Sequence, residues 1–363
     1  MSNKLANIYH HIKATPGNYV LATIIETMGS TYQKAGARML ISESGEFIGL
    51  LGGGCFESDL HEHAKAVLNS GKPNVVFYDM RSPEDAIWGL GLGCNGAVRV
   101  LLQPLKAESL YSPFDQFEGE VEENGSGVLI TICRSDHVDY SPGYSSFLKN
   151  NNTLVASLPS HNQFIKKAQQ VIEQNKPALI EHDIDDKKIS VFYDLLKPPF
   201  KLLIIGAGPD ALPMTRFAKL LGWHITVVDH RAGFVNESRF PDVDVLLNLI
   251  PADLNQGLGL DQFDAMILMT HNMDYDERYF KQIVDCNIPY IGLLGPAKRR
   301  DRLLDSLDEK AVQIESQVYG PTGLDIAAQT PEEIALSVIA EIQAVTRNHD
   351  GGMLSDKDEP IYA

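Results

Sequence analysis

Residues 201–211, KLLIIGAGPDA, run an apolar strand straight into the turn Gly206-Ala207-Gly208-Pro209-Asp210-Ala211 and on into a helix. This is the GxGxxA form of a dinucleotide-binding turn, and few local patterns restrict a fold as tightly. Gly206 permits the tight turn, Gly208 lets a pyrophosphate approach the backbone, and Ala211 lets the helix pack closely on the strand. Downstream, the strands HITVVDH, DAMILMT and IPYIGLLG alternate with the helices MDYDERYFKQIVDC and RRDRLLDSLD. Such alternation predicts a parallel sheet with crossover helices. Asp229 ends the second strand, where a carboxylate binds ribose hydroxyls, so NAD or another dinucleotide is the expected ligand. Arg231 just beyond weakens the preference against NADP. His271 and Asn272 follow DAMILMT at the carboxyl edge where ligands sit. The plain alternative for His271 is a loop histidine capping the next helix. The last helix starts at Thr330-Pro331-Glu332-Glu333, an N-cap, a first-turn proline and the glutamate of a capping box.

Pro198 and Pro199, in LKPPFK, mark a domain boundary. The expected organisation is an α/β chain. An N-terminal α+β domain (1–198) with glycine-rich cysteine loops precedes a C-terminal Rossmann-like doubly wound parallel-sheet domain (199–346), and 347–363 form a disordered tail. In the first domain Leu5, Ile8 and Ile12 share one side of a short helix, YVLATIIETMG alternates like a strand, and RMLIS reads as its partner. Residues 56–68 turn helical and NVVFYDM is a strand. From 106 to 200 the strand-like pieces VLITIC, HVDYS and KISVFYDLL alternate with polar loops, and no internal repeat is visible.

Two glycine-rich turns carry cysteines. Gly52-Gly53-Gly54-Cys55-Phe56-Glu57 lies at a strand-to-helix junction, where a helix N-terminus offers free N–H groups and lowers a thiol's pKa. Gly91-Leu92-Gly93-Cys94-Asn95-Gly96 repeats the idea. Both thiols are candidate nucleophiles or metal ligands, whereas Cys133, in an apolar run, and Cys286 read as packing residues. Lys34 and Arg38, around the start of RMLIS, suit either an anionic ligand or surface ion pairs. His61 and His63 point to different sides of a helix, which argues against a shared zinc.

The formal net charge of −17 repels phosphate backbones and anionic membranes, so nucleic acid and membrane surfaces are excluded as partners. Four cysteines without a CxxC pair, no signal-like start and no long apolar run point to the cytoplasm with reduced thiols.

The stretches GSTYQKAGARML, IGLLGGGCFESDL, GLGCNG and GPTGLDIAAQTPEEIALSVIAEI, with YIGLLGPAKRR and IIGAGPDA, resemble the XdhC/CoxI family of xanthine dehydrogenase accessory factors. The resemblance implies a chaperone that binds the molybdopterin form of the molybdenum cofactor. It would support sulfuration of that cofactor and deliver it to an apo xanthine dehydrogenase-type hydroxylase. A cysteine desulfurase is the implied sulfur source. Cys55 and Cys94 match the family's cysteines, and a soft thiolate suits molybdenum or sulfur. Asn95 stands where the family often has glycine, and Pro209 where histidine is common. The chain lacks the cysteine sets of iron–sulfur clusters, so it does not read as the hydroxylase itself. The competing expectation is an NAD-dependent oxidoreductase using Gly206, Gly208, Ala211, Asp229 and His271. A homo-oligomer is expected on general grounds.

Overall fold

The computed structural model describes residues 5–53, 56–81, 96–112, 114–117, 126–156 and 162–356, and the chain forms two compact units that meet between Pro198 and Pro199. Cys55 and Cys94 lie outside the described residues.

In the first unit, β1 (Tyr19–Gly29) has β2 (Arg38–Ser42) and β3 (Phe47–Gly49) on one side. On the other lie β5 (Gly96–Leu105) and then β4 (Asn74–Asp79), giving the antiparallel order β3-β2-β1-β5-β4. Helix α1 (Leu5–Ala14) packs Leu5, Ile8 and Ile12 with Tyr19 and Leu21. Helix α2 (Glu57–Ser70) packs Leu60, Ala64 and Val67 with Val20, Ala22 and Ile24 from the other face. Both faces of β1 are thereby covered, so Tyr19 to Ile25 are all buried instead of alternating.

The second half of this unit has β6 (Gly127–Ser135), β7 (Ser145–Lys149), β8 (Leu154–Ala156), helix α3 (Asn162–Gln174), β9 (Ala178–Ile184) and β10 (Lys187–Leu196). Their order, β8-β7-β6-β10-β9, repeats the first sheet element for element, helix included. The details repeat too. Ile25 is skipped in the pairing of β1 with β5, and Cys133 in that of β6 with β10. Gly36 donates its N–H to Ile24 and Gly143 donates to Ile132, both at 2.8 Å, and both glycines have positive φ. The helices end at Gly71 and Asn175, both left-handed, and each is followed by Lys-Pro. The expectation of no internal repeat is therefore corrected. The two copies share backbone geometry and few side chains, and a sequence scan sees only side chains. HVDYS, expected as a strand, is a turn in which Tyr140 N–H bonds His137 O at 3.3 Å.

The two sheets meet on Ile25, Leu101, Cys133 and Phe192. Burial pushes the Cys133 thiol up to about 12, which suits a packing role. Arg38 is 4% exposed and ion-paired with Asp194 of β10, and it donates a further bond to Gly36 O at 3.0 Å. Burial pulls its guanidinium down to about 10. Arg38 is thus a cross-sheet strut, correcting both the ligand-facing and the surface-pair expectations. The matching position to Asp194 in the first copy is Gln103, which reaches Gly143 O at 3.2 Å in the opposite direction.

In the second unit β11 (Lys201–Ile205), β12 (His224–Asp229), β13 (Val245–Asn248), β14 (Ala265–Leu268), β15 (Ile291–Leu293) and β16 (Val318–Tyr319) form a parallel sheet. Its order is β13-β12-β11-β14-β15-β16. Helices α4 (Ala211–Leu220) and α7 (Pro331–Val345) cover one face. Helices α5 (Met273–Ile283) and α6 (Ala297–Asp305) cover the other. Leu202 to Ile205 are fully buried, as a central strand sandwiched between helix layers requires. Thr330 and Glu333 form the expected capping box. In the segment expected as a disordered tail, Leu354–Asp356 make a short 3-10 turn, and 357–363 lie outside the described residues. No helix among the described residues is long and apolar enough to cross a membrane.

Asp194→Ala would strand Arg38 in the interior, and urea denaturation should show a loss of about 3 kcal/mol. Glu26→Ala removes the partner of the more exposed Arg99 and should cost under about 1 kcal/mol. Equal losses would show that Arg38 is not specially dependent on its partner.

Candidate functional site

β1, β3 and β4 run in the same direction, because each is antiparallel to β2 or β5. Their C-terminal ends therefore lie at one end of the first sheet. Three connections leave from there: 30–37, which holds Lys34; 50–56, which holds the glycine triplet and Cys55; and 80–95, which holds Cys94. The described residues beside these connections touch. Phe56, at the start of α2, stacks on Tyr78 near the end of β4, with ring centroids 4.8 Å apart. Tyr78 Oη also donates to Asp59 Oδ2 at 2.7 Å. Met80 N–H bonds Gly96 O at 2.9 Å, and a Cβ on Gly96 would lie 2.3 Å from Ser30 O. Only glycine fits at 96, where the second cysteine connection rejoins the sheet beside the first loop.

Glu57 is the first residue of α2 and is 7% exposed. Its carboxylate accepts from Gly52 N at 2.8 Å and Phe56 N at 3.2 Å. Two amides of the glycine turn, expected to be open to an anion, are thus held by the protein's own carboxylate. A Cβ at Gly52 would lie 2.8 Å from the Phe56 ring, so glycine is needed where chain and ring pass closely. Gly53 is exposed, and Gly54 lies outside the described residues. Lys34 is exposed and its carbonyl accepts from Ala37 N at 3.1 Å.

At the carboxyl edge of the parallel sheet, Gly206 has φ +121° and a Cβ there would lie 2.4 Å from Met269 O, so the turn needs its glycine. Ala211 is fully buried against the sheet. The polar groups expected to meet a nucleotide face one another instead. Asp229 is fully buried and accepts from Ala207 N at 2.7 Å, from Arg231 N at 2.8 Å, and from the Arg231 guanidinium at 2.9 and 2.7 Å. Burial opposes its charge. The Arg231 side chain, then the Ala207 and Arg231 amides, outweigh that and hold the carboxyl below its usual range. Arg231 also lies over the Phe234 ring at 3.8 Å. His271, at φ +58°, places Nε2 2.6 Å from Asp210 Oδ2. The other oxygen of Asp210 lies 2.5 Å from where a Gly208 Cβ would stand, so a carboxylate fronts the phosphate turn. The helix-capping alternative for His271 falls to its neighbour: Asn272 accepts from Asp274 N at 3.0 Å and Tyr275 N at 3.3 Å.

Sequence reasoning missed Asp210 although it sits within the motif, because its role depends on His271 across the sheet. It also missed Asn248, which donates to Asp229 O at 2.7 Å, and the His230–Tyr275 stack at 3.5 Å. Among the described residues, no group of three His, Cys, Asp or Glu side chains is disposed to hold a metal ion.

Fold and loops together define a two-part class: a duplicated antiparallel unit with glycine-rich loops at one end, followed by a Rossmann unit. Residues 202–342 match the XdhC Rossmann domain, and residues 13–79 match the XdhC and CoxI family. A Bacillus subtilis protein, named as a probable subunit of xanthine dehydrogenase, is 32% identical over 89% of this chain and 92% of its own. The Escherichia coli molybdenum cofactor insertion chaperone PaoD is 22% identical over 90% of this chain and 83% of its own. A Bacillus halodurans crystal structure, described as a xanthine dehydrogenase, superposes with a TM-score of 0.76 at 29% identity over 98% of both chains. The chain belongs to the XdhC/CoxI family.

Two outcomes are expected at the Rossmann edge. If Arg231 is what keeps a ribose from Asp229, calorimetry with added NAD should show Arg231→Ala binding it at least about tenfold more tightly than wild type, the worth of one well-made polar contact. An unchanged affinity would mean that Arg231 does not compete with a ribose. Because the folded Asp229 pKa is depressed, its contribution to stability is full above the unfolded value of about 3.9 and is lost as pH falls through the lower folded value. Asp229→Asn should therefore flatten the stability profile below about pH 4, where wild type loses this contribution.

Proposed function

We propose that this chain is an accessory protein that binds the molybdopterin form of the molybdenum cofactor as cargo. It supports sulfuration of that cargo and passes it to an apo xanthine dehydrogenase-type hydroxylase, without turnover of its own. The observation carrying this reading is the gathering of three connections, two with a glycine-flanked cysteine, at one end of the first sheet. The name of the Escherichia coli relative, a molybdenum cofactor insertion chaperone, supports the choice of cargo. Cys55 and Cys94 offer soft thiolates for molybdenum or for sulfur received from a cysteine desulfurase. Gly53 and Gly54 let the backbone approach the pterin, and Lys34 adds a cation on the phosphate side. Glu57 shapes the turn by holding Gly52 and Phe56. Arg38 contributes through Asp194 and not through the cargo. The reading places the protein in the cytoplasm, where thiols stay reduced.

The oxidoreductase alternative gains nothing from the crevice. Its ribose-binding carboxylate is saturated by Arg231, and its phosphate turn faces Asp210.

Protein purified after co-expression with an active molybdopterin pathway should carry pterin, read by fluorescence after oxidation. Cys55→Ala and Cys94→Ala should lower the pterin at least about tenfold. Cys286→Ala, which alters a thiol of the second unit, should leave it unchanged. Equal pterin in all four proteins would remove the thiols from the reading, and none in wild type would remove the cargo.

A further inference from the structure

The two copies in the first unit keep step closely along most of their length. From Ile24 to Gly36 takes twelve residues and from Ile132 to Gly143 eleven, and the same hydrogen bonds close both spans. The hairpins of β2 with β3 and of β7 with β8 have the same length, for Leu40 faces Ile48 as Phe147 faces Val155. From the helix core to the next strand the copies also match. Ala64, Val67 and Gly71 stand 104 residues before Ala168, Val171 and Asn175. Tyr78 bonds Asp59 as His182 contacts Gln163, at 2.7 and 3.3 Å.

They part at two connections. Between the third strand and the helix core the first copy is three residues longer: fifteen from Gly49 to Ala64, against twelve from Ala156 to Ala168. Between the fourth and fifth strands it is thirteen longer. Asp79 pairs with Ala97 across seventeen intervening residues, whereas Asp183 pairs with Lys188 across four. In the second copy that link is a tight hairpin, with Asp185 and Asp186 at φ +50° and +59°, the backbone a two-residue turn of mirror-image type requires. The added lengths fall where the sequence has Gly52-Gly53-Gly54-Cys55 and Gly91-Leu92-Gly93-Cys94, and both connections leave the same end of the sheet.

We infer that the cargo-binding surface of the first unit is an addition to a duplicated frame. It is built on two connections that only the first copy has lengthened, and the frame folds without it. This deepens the cofactor reading and rests on it for the identity of the cargo. The second copy supplies the short forms of both connections within the same chain, so the frame's strand order, bulges and helix packing do not require the long ones. Its own task is to complete the core through Cys133, Phe192 and Asp194.

The test uses the full chain in two variants. One replaces residues 81–95 by Asp-Gly, which joins the paired Met80 and Gly96 by a two-residue turn; the other deletes Gly52, Gly53 and Gly54. Each is melted by circular dichroism and assayed for pterin after co-expression. The expected result is cooperative unfolding within about 5 °C of wild type, with pterin lowered at least about tenfold. Loss of cooperative unfolding in the 81–95 variant would overturn the inference, since that connection would then be part of the frame. Wild-type pterin in both variants would overturn it from the other side. Wild-type protein without pterin, with both variants melting normally, would uphold the independent frame and sink the cofactor reading alone.

Discussion

Arg38 begins the second strand of one sheet, Asp194 lies in the fifth strand of the other, and their buried ion pair sets how the two copies face each other. Bringing two charges out of water costs several kcal/mol apiece, so the pair is not a large net source of stability. It works as a constraint, because a docking that separated the partners would leave each charge buried and alone. Around it the apolar contacts of Ile25, Leu101, Cys133 and Phe192 supply the attraction, and the bulges at Ile25 and Cys133 turn those two side chains into the shared seam. A bulge adds one residue to a strand and re-aims its side chain.

With that docking in place, the loop-bearing end of the first sheet is determined by strand direction. Helix α2 must cross the sheet to cover Val20 and Val100, and in doing so brings Phe56 onto Tyr78. The chain that leaves the edge strand β3 thereby reaches the opposite edge, where Phe56 stands beside the end of β4. Glu57 completes the arrangement by satisfying amides of the turn. A buried amide left without a partner would cost about 1–3 kcal/mol.

The Rossmann unit shows how a motif can persist as architecture. Gly206 and Ala211 are required by contacts with Met269 and the sheet, whether or not a nucleotide binds. The groups that would confer ligand preference, Asp229 and Asp210, are committed to Arg231 and His271. Fold and ligand are separable, and the side chains at the strand ends decide the second.

Much was legible from residue order alone. The KLLIIGAG strand, the Rossmann alternation, the capping box at Thr330, the helix after Phe56 and the family likeness all rest on local spacing and on residue types that the backbone demands at each place. The duplication was not legible, because positions such as Gly71 and Asn175 are equivalent through a left-handed backbone that two different residue types adopt, and the side chains elsewhere have diverged. Nor was the fate of the charged candidates. Arg38 and Asp229 were both recognisable as able to bind something, but a charge takes the partner that folding brings nearest. Those partners lie up to 156 residues away in the chain, as Arg38 and Asp194 do. Local sequence determined which elements form and which residues carry chemistry; only the tertiary structure decided which of those charges the protein keeps for itself, because a buried charge must be paired before any ligand arrives.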